Sequence, residues 1–407
     1  MDLEKVRADF PVTKNSIYLE NAGFSPTPLP IARAVYEYLE EAGSGFTTQF
    51  IGKTLDMAAD TRSRLAEFLH AKSEEVAIIR NTAEAATHVA SGLRWEAGSE
   101  IIISEVEHPS NWLPWARLQE IGVKTVVAPV RDDGRCDPED FHKLINKKTR
   151  LIALNHIPSP SGIIQPCEAV GKLAHDSGVL FYVDAAQSAG QIDVDVGRLN
   201  CDFLAFTCAK FMCAPQGTGV FWISEEMQEK VKPFSVGWFN IDHDSSQITL
   251  GDFKNRALDA QVKTKGTAEA FEAPGTPPWS LMAGLGRAVR YLDEVGGIGF
   301  IEERLRGFGA RMVEELQGIP KIKVYGTKDR RHRGGTIAFN MEGVHPVYLS
   351  ALLLRVASVV TAPKPWGYVR ASPHFYNSDE EIRKFVDAVK LVATKDLKFF
   401  SRTVVRA

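Results

Sequence analysis

A series of short, unbroken apolar runs separated by helix-length segments leaves this chain few folds to choose from. Val76–Ile79, Ile101–Ile103, Lys124–Ala128, Leu151–Leu154, Val179–Val183, Phe203–Phe206 and Val220–Ile223 each read as a strand, with helices at Ala83–Leu93 and Ala169–Asp176 between them. A strand with one wet face alternates apolar and polar residues. These runs do not alternate, so both of their faces are buried. The pattern predicts an α/β fold with a mainly parallel central sheet, in which ligands sit beyond the carboxyl ends of the strands.

The pattern changes twice. Residues 1–25 read as a short helix and an extended arm that packs with a smaller carboxyl-terminal unit. A large unit follows over 26–279, and the small α+β unit covers 280–407. The second unit carries helices near Ser280–Glu294, 300–317 and 380–394, and a strand at Thr336–Phe339. Residues 232–275, including Trp238 to Ser246, read as a long irregular polar stretch, a length at which loops are usually functional. Gly296-Gly297-Ile298-Gly299 lies between two helices with no strand before it, so it reads as a turn and not a nucleotide loop.

Bulk properties remove whole classes of function. With 407 residues, 48 basic and 51 acidic side chains and a net charge of -3, nothing points to nucleic acid or an anionic membrane. No apolar run is long enough to span a bilayer, and the first residues lack a signal core, which predicts a cytoplasmic protein. The five cysteines show neither a paired framework nor metal-type spacing, and read as reduced thiols.

Chemistry gathers at the strand ends. Asp184 closes the apolar run Phe181–Val183, where an unpaired carboxylate would be expensive. Lys210 follows the next run, in Thr207-Cys208-Ala209-Lys210. An acid and an amine at one sheet edge suit pyridoxal 5'-phosphate: the lysine forms an imine with its aldehyde, and the acid keeps its pyridine nitrogen protonated. A plain salt bridge between strand ends fits the same spacing. Asn81-Thr82-Ala83-Glu84 opens a helix where free N–H groups suit a phosphate, and it is also an ordinary cap. Thr207 offers a hydroxyl to the same phosphate, and Gln187 a donor to the ring oxygen. His108, just past a strand end, could lie on the ring and move protons. Arg370 has the fork that matches a carboxylate with two parallel hydrogen bonds.

With these pieces in place, the chain resembles the class V aminotransferase family of fold-type I pyridoxal phosphate enzymes. The likeness runs from Tyr18-Leu19-Glu20-Asn21-Ala22-Gly23 through the Asp184 and Lys210 blocks and Phe271–Pro277 to Arg370-Ala371-Ser372 and Tyr376-Asn377. It implies Lys210 as the imine-forming lysine, Asp184 as the partner of the pyridinium and His108 as the stacking residue. Gln187 would meet the ring hydroxyl, with Thr82, Ala83 and Thr207 on the phosphate. Thr276 would reach the phosphate of a neighbouring subunit, which implies a homodimer with shared sites. Arg370, with Ser159 and Ala22, would bind an amino-acid substrate.

Three departures shape the expected reaction. Ala209 stands where a phosphate-binding histidine is usual, and Ser159 where many relatives have asparagine. The segment Ser358–Gly367 lacks the nucleophilic cysteine that desulfurases carry before the arginine, and no cysteine follows Cys213. Without that thiolate the sequence argues against a persulfide-forming desulfurase and leans to C–S lyase chemistry, β-elimination from a cysteine-type substrate. Transamination, epimerisation and C–C bond chemistry share its first step. A pyridoxal phosphate-binding protein without turnover is the reading from another class.

Overall fold

The computed structural model describes residues 1–243 and 262–395; Asp244, Ser245 and Ser246 of the irregular stretch lie outside them. In chain order the strands are β1 (Ile17–Tyr18), β2 (Val76–Ile79), β3 (Glu100–Ser104), β4 (Lys124–Ala128), β5 (Thr149–Asn155), β6 (Leu180–Asp184), β7 (Phe203–Thr207), β8 (Gly219–Ile223), β9 (Ile322–Tyr325), β10 (Ile337–Met341), β11 (Val359–Val360), β12 (Ala362–Lys364) and β13 (Tyr368–Ala371).

Seven of them form the central sheet, in the order β2-β8-β7-β6-β5-β3-β4. From β4 to β7 every pair is parallel, whereas β8 runs antiparallel to both β7 and β2. The sheet is therefore mixed at one side. Parallel neighbours need a crossover, while antiparallel ones can be joined directly. Cys208–Thr218 is such a direct link from β7 to β8, and it carries Lys210 at the carboxyl end of β7.

Both faces of the sheet are covered over its other six strands, whereas the edge strand β4 departs from the expectation of two buried faces: Lys124 and Val127 are exposed and only Ala128 is buried. Ile102, Ile152, Phe181, Val183, Leu204 and Phe206 face one core, and Ile101, Leu151, Tyr182, Phe203 and Phe221 face the other. The helix Trp279–Glu294 packs across Leu29–Ala42 and Thr48–Phe68. Part of the irregular polar stretch is anchored: Glu272 accepts from the Ile78 amide and pairs with Arg62, both at 2.9 Å.

A smaller antiparallel sheet, β12-β13-β10-β9, lies in the carboxyl-terminal part with the helices Gly297–Gln317, Pro346–Ala357 and Asp379–Thr394. Gly296, with φ of +127°, makes the turn, but it is shorter than the predicted 296–299: Gly297-Ile298-Gly299 already open the helix Gly297–Gln317. The amino-terminal arm joins this part directly. β1 pairs in parallel with β11, Glu20 bridges to Ser372, and Arg7 binds Glu381 at 2.9 Å and the Tyr376 carbonyl at 3.1 Å. None of the described helices is long and apolar enough to cross a membrane.

Candidate active site

The site forms where β5, β6 and β7 end and the carboxyl-terminal part leans over them. Asp184 is the last residue of β6 and is 2% exposed. Its Oδ1 accepts from the Ala186 amide at 2.9 Å, while Oδ2 is buried with no partner. A buried carboxylate oxygen with nothing to bind is costly, so it marks a position prepared for a donor. Burial pushes the carboxyl up to about 6, with the charge of Lys210 acting in the opposite direction.

Lys210 is held by a rigid link: Cys208 N donates to the Thr218 carbonyl, and Cys213 N donates to the Lys210 carbonyl, both at 2.9 Å. Burial lowers its ammonium to about 8; Asp184 opposes this shift, and Arg370 and Lys364 reinforce it. An amine that sheds its proton near neutrality is a competent nucleophile toward an aldehyde. Lys210 and Asp184 thus feel each other's charge, and the orphaned Oδ2 would fit a ring N–H donor.

The helix Thr82–Gly92 begins beside β8. Asn81 caps it by accepting from Glu84 N at 3.1 Å, and Thr82 is buried. Gly219 permits the approach, since a Cβ there would lie 2.9 Å from the Phe206 carbonyl and 3.0 Å from Asn81 N. Thr207 sits across, its hydroxyl 3.4 Å from the Thr218 carbonyl. Thr82, Ala83 and Thr207 are therefore on one edge of the sheet, as a phosphate cradle requires.

His108 caps a short 3-10 turn, its Nδ1 2.7 Å from Ser110 Oγ. The residue itself is exposed. Desolvation, reinforced by Lys210, Arg370 and Lys364, brings it down to about 4, so it is neutral at physiological pH. Neighbouring Glu107 takes hydrogen bonds from Ser104, Asn111 and the Asn155 amide, and burial raises its carboxyl to about 8. The sequence reading missed this positioning residue, although Glu107 adjoins His108 in the chain. Gln187 donates to the Ala22 carbonyl at 2.9 Å, which ties the arm to the end of β6.

Arg370 lies on β13, 1% exposed. Its Nη1 donates to Ser159 Oγ at 2.7 Å and to the Ser159 carbonyl at 3.1 Å, while Nη2 donates to Glu20 Oε1 at 2.8 Å. Its Nε is buried without a partner. Lys364 Nζ lies 3.8 Å from the same Glu20 oxygen. Glu20 and Lys364 were not singled out from the sequence. The Tyr18-Leu19-Glu20 arm hid the first, and the second needed the β12–β13 register to be seen. Thr276 is exposed.

The family model for class V aminotransferases matches residues 17–385. The chain belongs to the class V aminotransferase family. It is a pyridoxal phosphate-dependent enzyme of fold type I. Among relatives, the probable cysteine desulfurase of Methanothermobacter thermautotrophicus is 32% identical over 97% of this chain and 98% of its own length. That of Pyrococcus abyssi is 33% identical over 95% and 96%. The apo structure of the cysteine desulfurase from Thermococcus onnurineus superposes with a TM-score of 0.86 at 32% identity, over 96% of this chain and 98% of that one.

These matches overturn the expectation of a C–S lyase that forms no persulfide. That expectation took the lack of a nearby thiolate as proof that persulfide chemistry is absent. The lack removes one carrier of the sulfur, and it leaves the groups that hold cofactor and substrate untouched.

Proposed function

We propose that this family member is a cysteine desulfurase: it takes the sulfur from L-cysteine and leaves alanine. The reading rests on relatives at 32–33% identity along nearly the whole chain and on the fork of Arg370, which fits an amino-acid carboxylate. The single observation that carries the site is the buried, unpartnered Oδ2 of Asp184 at the end of β6, on the same sheet edge as Lys210 after β7.

Bound pyridoxal phosphate supplies an aldehyde for the substrate amine and a ring that accepts electrons from the α-carbon. Arg370 orients the substrate by its carboxylate, with Ser159 and Glu20 fixing the guanidinium plane. Lys210, lowered to about 8, takes the proton from the α-carbon once its amine is released. Asp184 would hold the ring nitrogen's proton through its unpartnered Oδ2, and Thr82, Ala83 and Thr207 would hold the phosphate. Neutral His108, held in place by the hydrogen bonds of Ser110, would cover the ring face.

We read residues 26–279 as the cofactor-holding unit, 280–407 as the unit that presents Arg370, and 1–25 as the arm between them. The exposure of Thr276 supports a homodimer in which this residue serves the neighbouring site. Five free thiols support a cytoplasmic setting. The test is incubation of the holoenzyme with L-cysteine and a reducing thiol. Equal amounts of alanine and sulfide are expected, and pyruvate with ammonia in place of alanine would refute the reading.

A further inference from the structure

A desulfurase must pass sulfur to a nucleophile, and none of this chain's thiols can be that nucleophile. Its five cysteines, all within the described residues, are between 0 and 8% exposed. Each is set in packed surroundings. Cys167 Sγ lies 3.8 Å from the Asn155 carbonyl, Cys201 Sγ lies 3.9 Å from the Val196 carbonyl, and Cys213 Sγ lies 3.4 Å from His374 Nε2. Burial pushes the thiols of Cys136 and Cys213 up to about 12 and raises those of Cys167, Cys201 and Cys208 as well. The thiolate is the attacking form, and buried thiols of this kind are inert.

The backbone before Arg370 closes the other route. Ala362, Pro363 and Lys364 pair with Arg370, Val369 and Tyr368, so only residues 365–367 remain as a turn, closed by Gly367 N on the Lys364 carbonyl. A tight hairpin stands here, with no long loop to swing a side chain into the site. A second copy of the chain could bring only the same five buried thiols.

We propose that the sulfur acceptor is an external thiol, bound for each turnover and released as its persulfide; this rests on the desulfurase reading above. The acceptor thiolate attacks the substrate sulfur, an S–S bond forms and the Cβ–S bond breaks. Its electron pair stays on carbon, which takes up a proton. The net reaction is cysteine plus R–SH giving alanine plus R–S–SH, with the sulfur oxidised, the carbon reduced and no other oxidant required. Lys364, which is assigned to neither cofactor nor substrate, adds positive charge beside His108 and Lys210 that favours an anionic thiolate.

The test is single turnover of the holoenzyme with L-cysteine held below the enzyme concentration, so that free cysteine cannot act as the acceptor. Alanine is measured with and without dithiothreitol, and the acid-quenched chain is weighed by mass spectrometry. The proposal expects alanine to rise at least tenfold with dithiothreitol and the chain to gain no sulfur. A parallel arm with reduced thioredoxin distinguishes a protein thiol from a small one by its kcat/KM. Thiol-independent alanine, with one added sulfur per chain on any cysteine, overturns the proposal and leaves the desulfurase reading standing. No alanine under any condition rejects the desulfurase reading and the proposal with it.

Discussion

Arg370 Nη2 and Glu20 Oε1 form a 2.8 Å ion pair where the proposed function puts the substrate carboxylate. The guanidinium is 1% exposed and still has its Nε unpaired, so Glu20 compensates its charge without using up its donors. An incoming carboxylate shares the cation with a resident acid. The site thereby avoids an uncompensated buried charge when empty, and binds substrate less tightly than a bare arginine would.

Glu20→Gln should therefore lower KM for the amino acid by about 3- to 10-fold, a gain on the order of 1 kcal/mol. Arg370→Lys keeps the charge and loses the fork, and should raise KM by about 10- to 100-fold. Steady-state kinetics on both variants decides the matter. An unchanged KM in Arg370→Lys would remove Arg370 from substrate binding.

The buried acid and amine impose a pH signature on the apoprotein. The Asp184 carboxyl is raised from 3.8 to about 6, so the folded form holds its proton longer and stability falls as pH rises through that window. The Lys210 ammonium is lowered from 10.5 to about 8, so the folded form loses its proton first and stability rises from pH 8 to 10.5. Asp184→Asn should raise the apoprotein Tm at pH 7 by about 2–4 °C while weakening cofactor retention. Thermal melts with and without pyridoxal phosphate check both halves, and a lowered apo Tm would contradict the argument.

The arm carries Glu20 into the site and is pinned by Arg7, which holds Glu381 and the Tyr376 carbonyl. Arg7→Ala should cost about 1–3 kcal/mol of stability and lower KM, because Glu20 rides on the same segment and its hold on Arg370 loosens with it. A melt combined with a KM measurement tests the link. A stability loss with KM unchanged would show that the arm does not position the site.

Much of this was legible in the sequence, and the reasons can be named. β2, β4 and the helix Asp379–Thr394 follow from apolar runs and periodicity that tertiary context did not override. Asp184 and Lys210 stood out because a charge at the end of a buried strand needs a reason. The antiparallel β8 was hidden, because an apolar strand buried on both faces reads the same in either direction. β9, β12, β13 and the helix Pro346–Ala357 were missed, being short or lacking strong punctuation. Glu20, Glu107 and Lys364 gain their roles only from contacts across long sequence separations, such as the 350 positions between Glu20 and Arg370. The reaction type was misread because the identity of a sulfur acceptor was inferred from one segment of one chain.

The account stands on Lys210 as the amine that captures the cofactor. Borohydride reduction of the holoenzyme followed by peptide mapping tests this most directly. One phosphopyridoxyl group per chain, fixed to Lys210 and lost in Lys210→Ala together with the imine absorbance band, is the predicted result. Label on another lysine, or none, would contradict it.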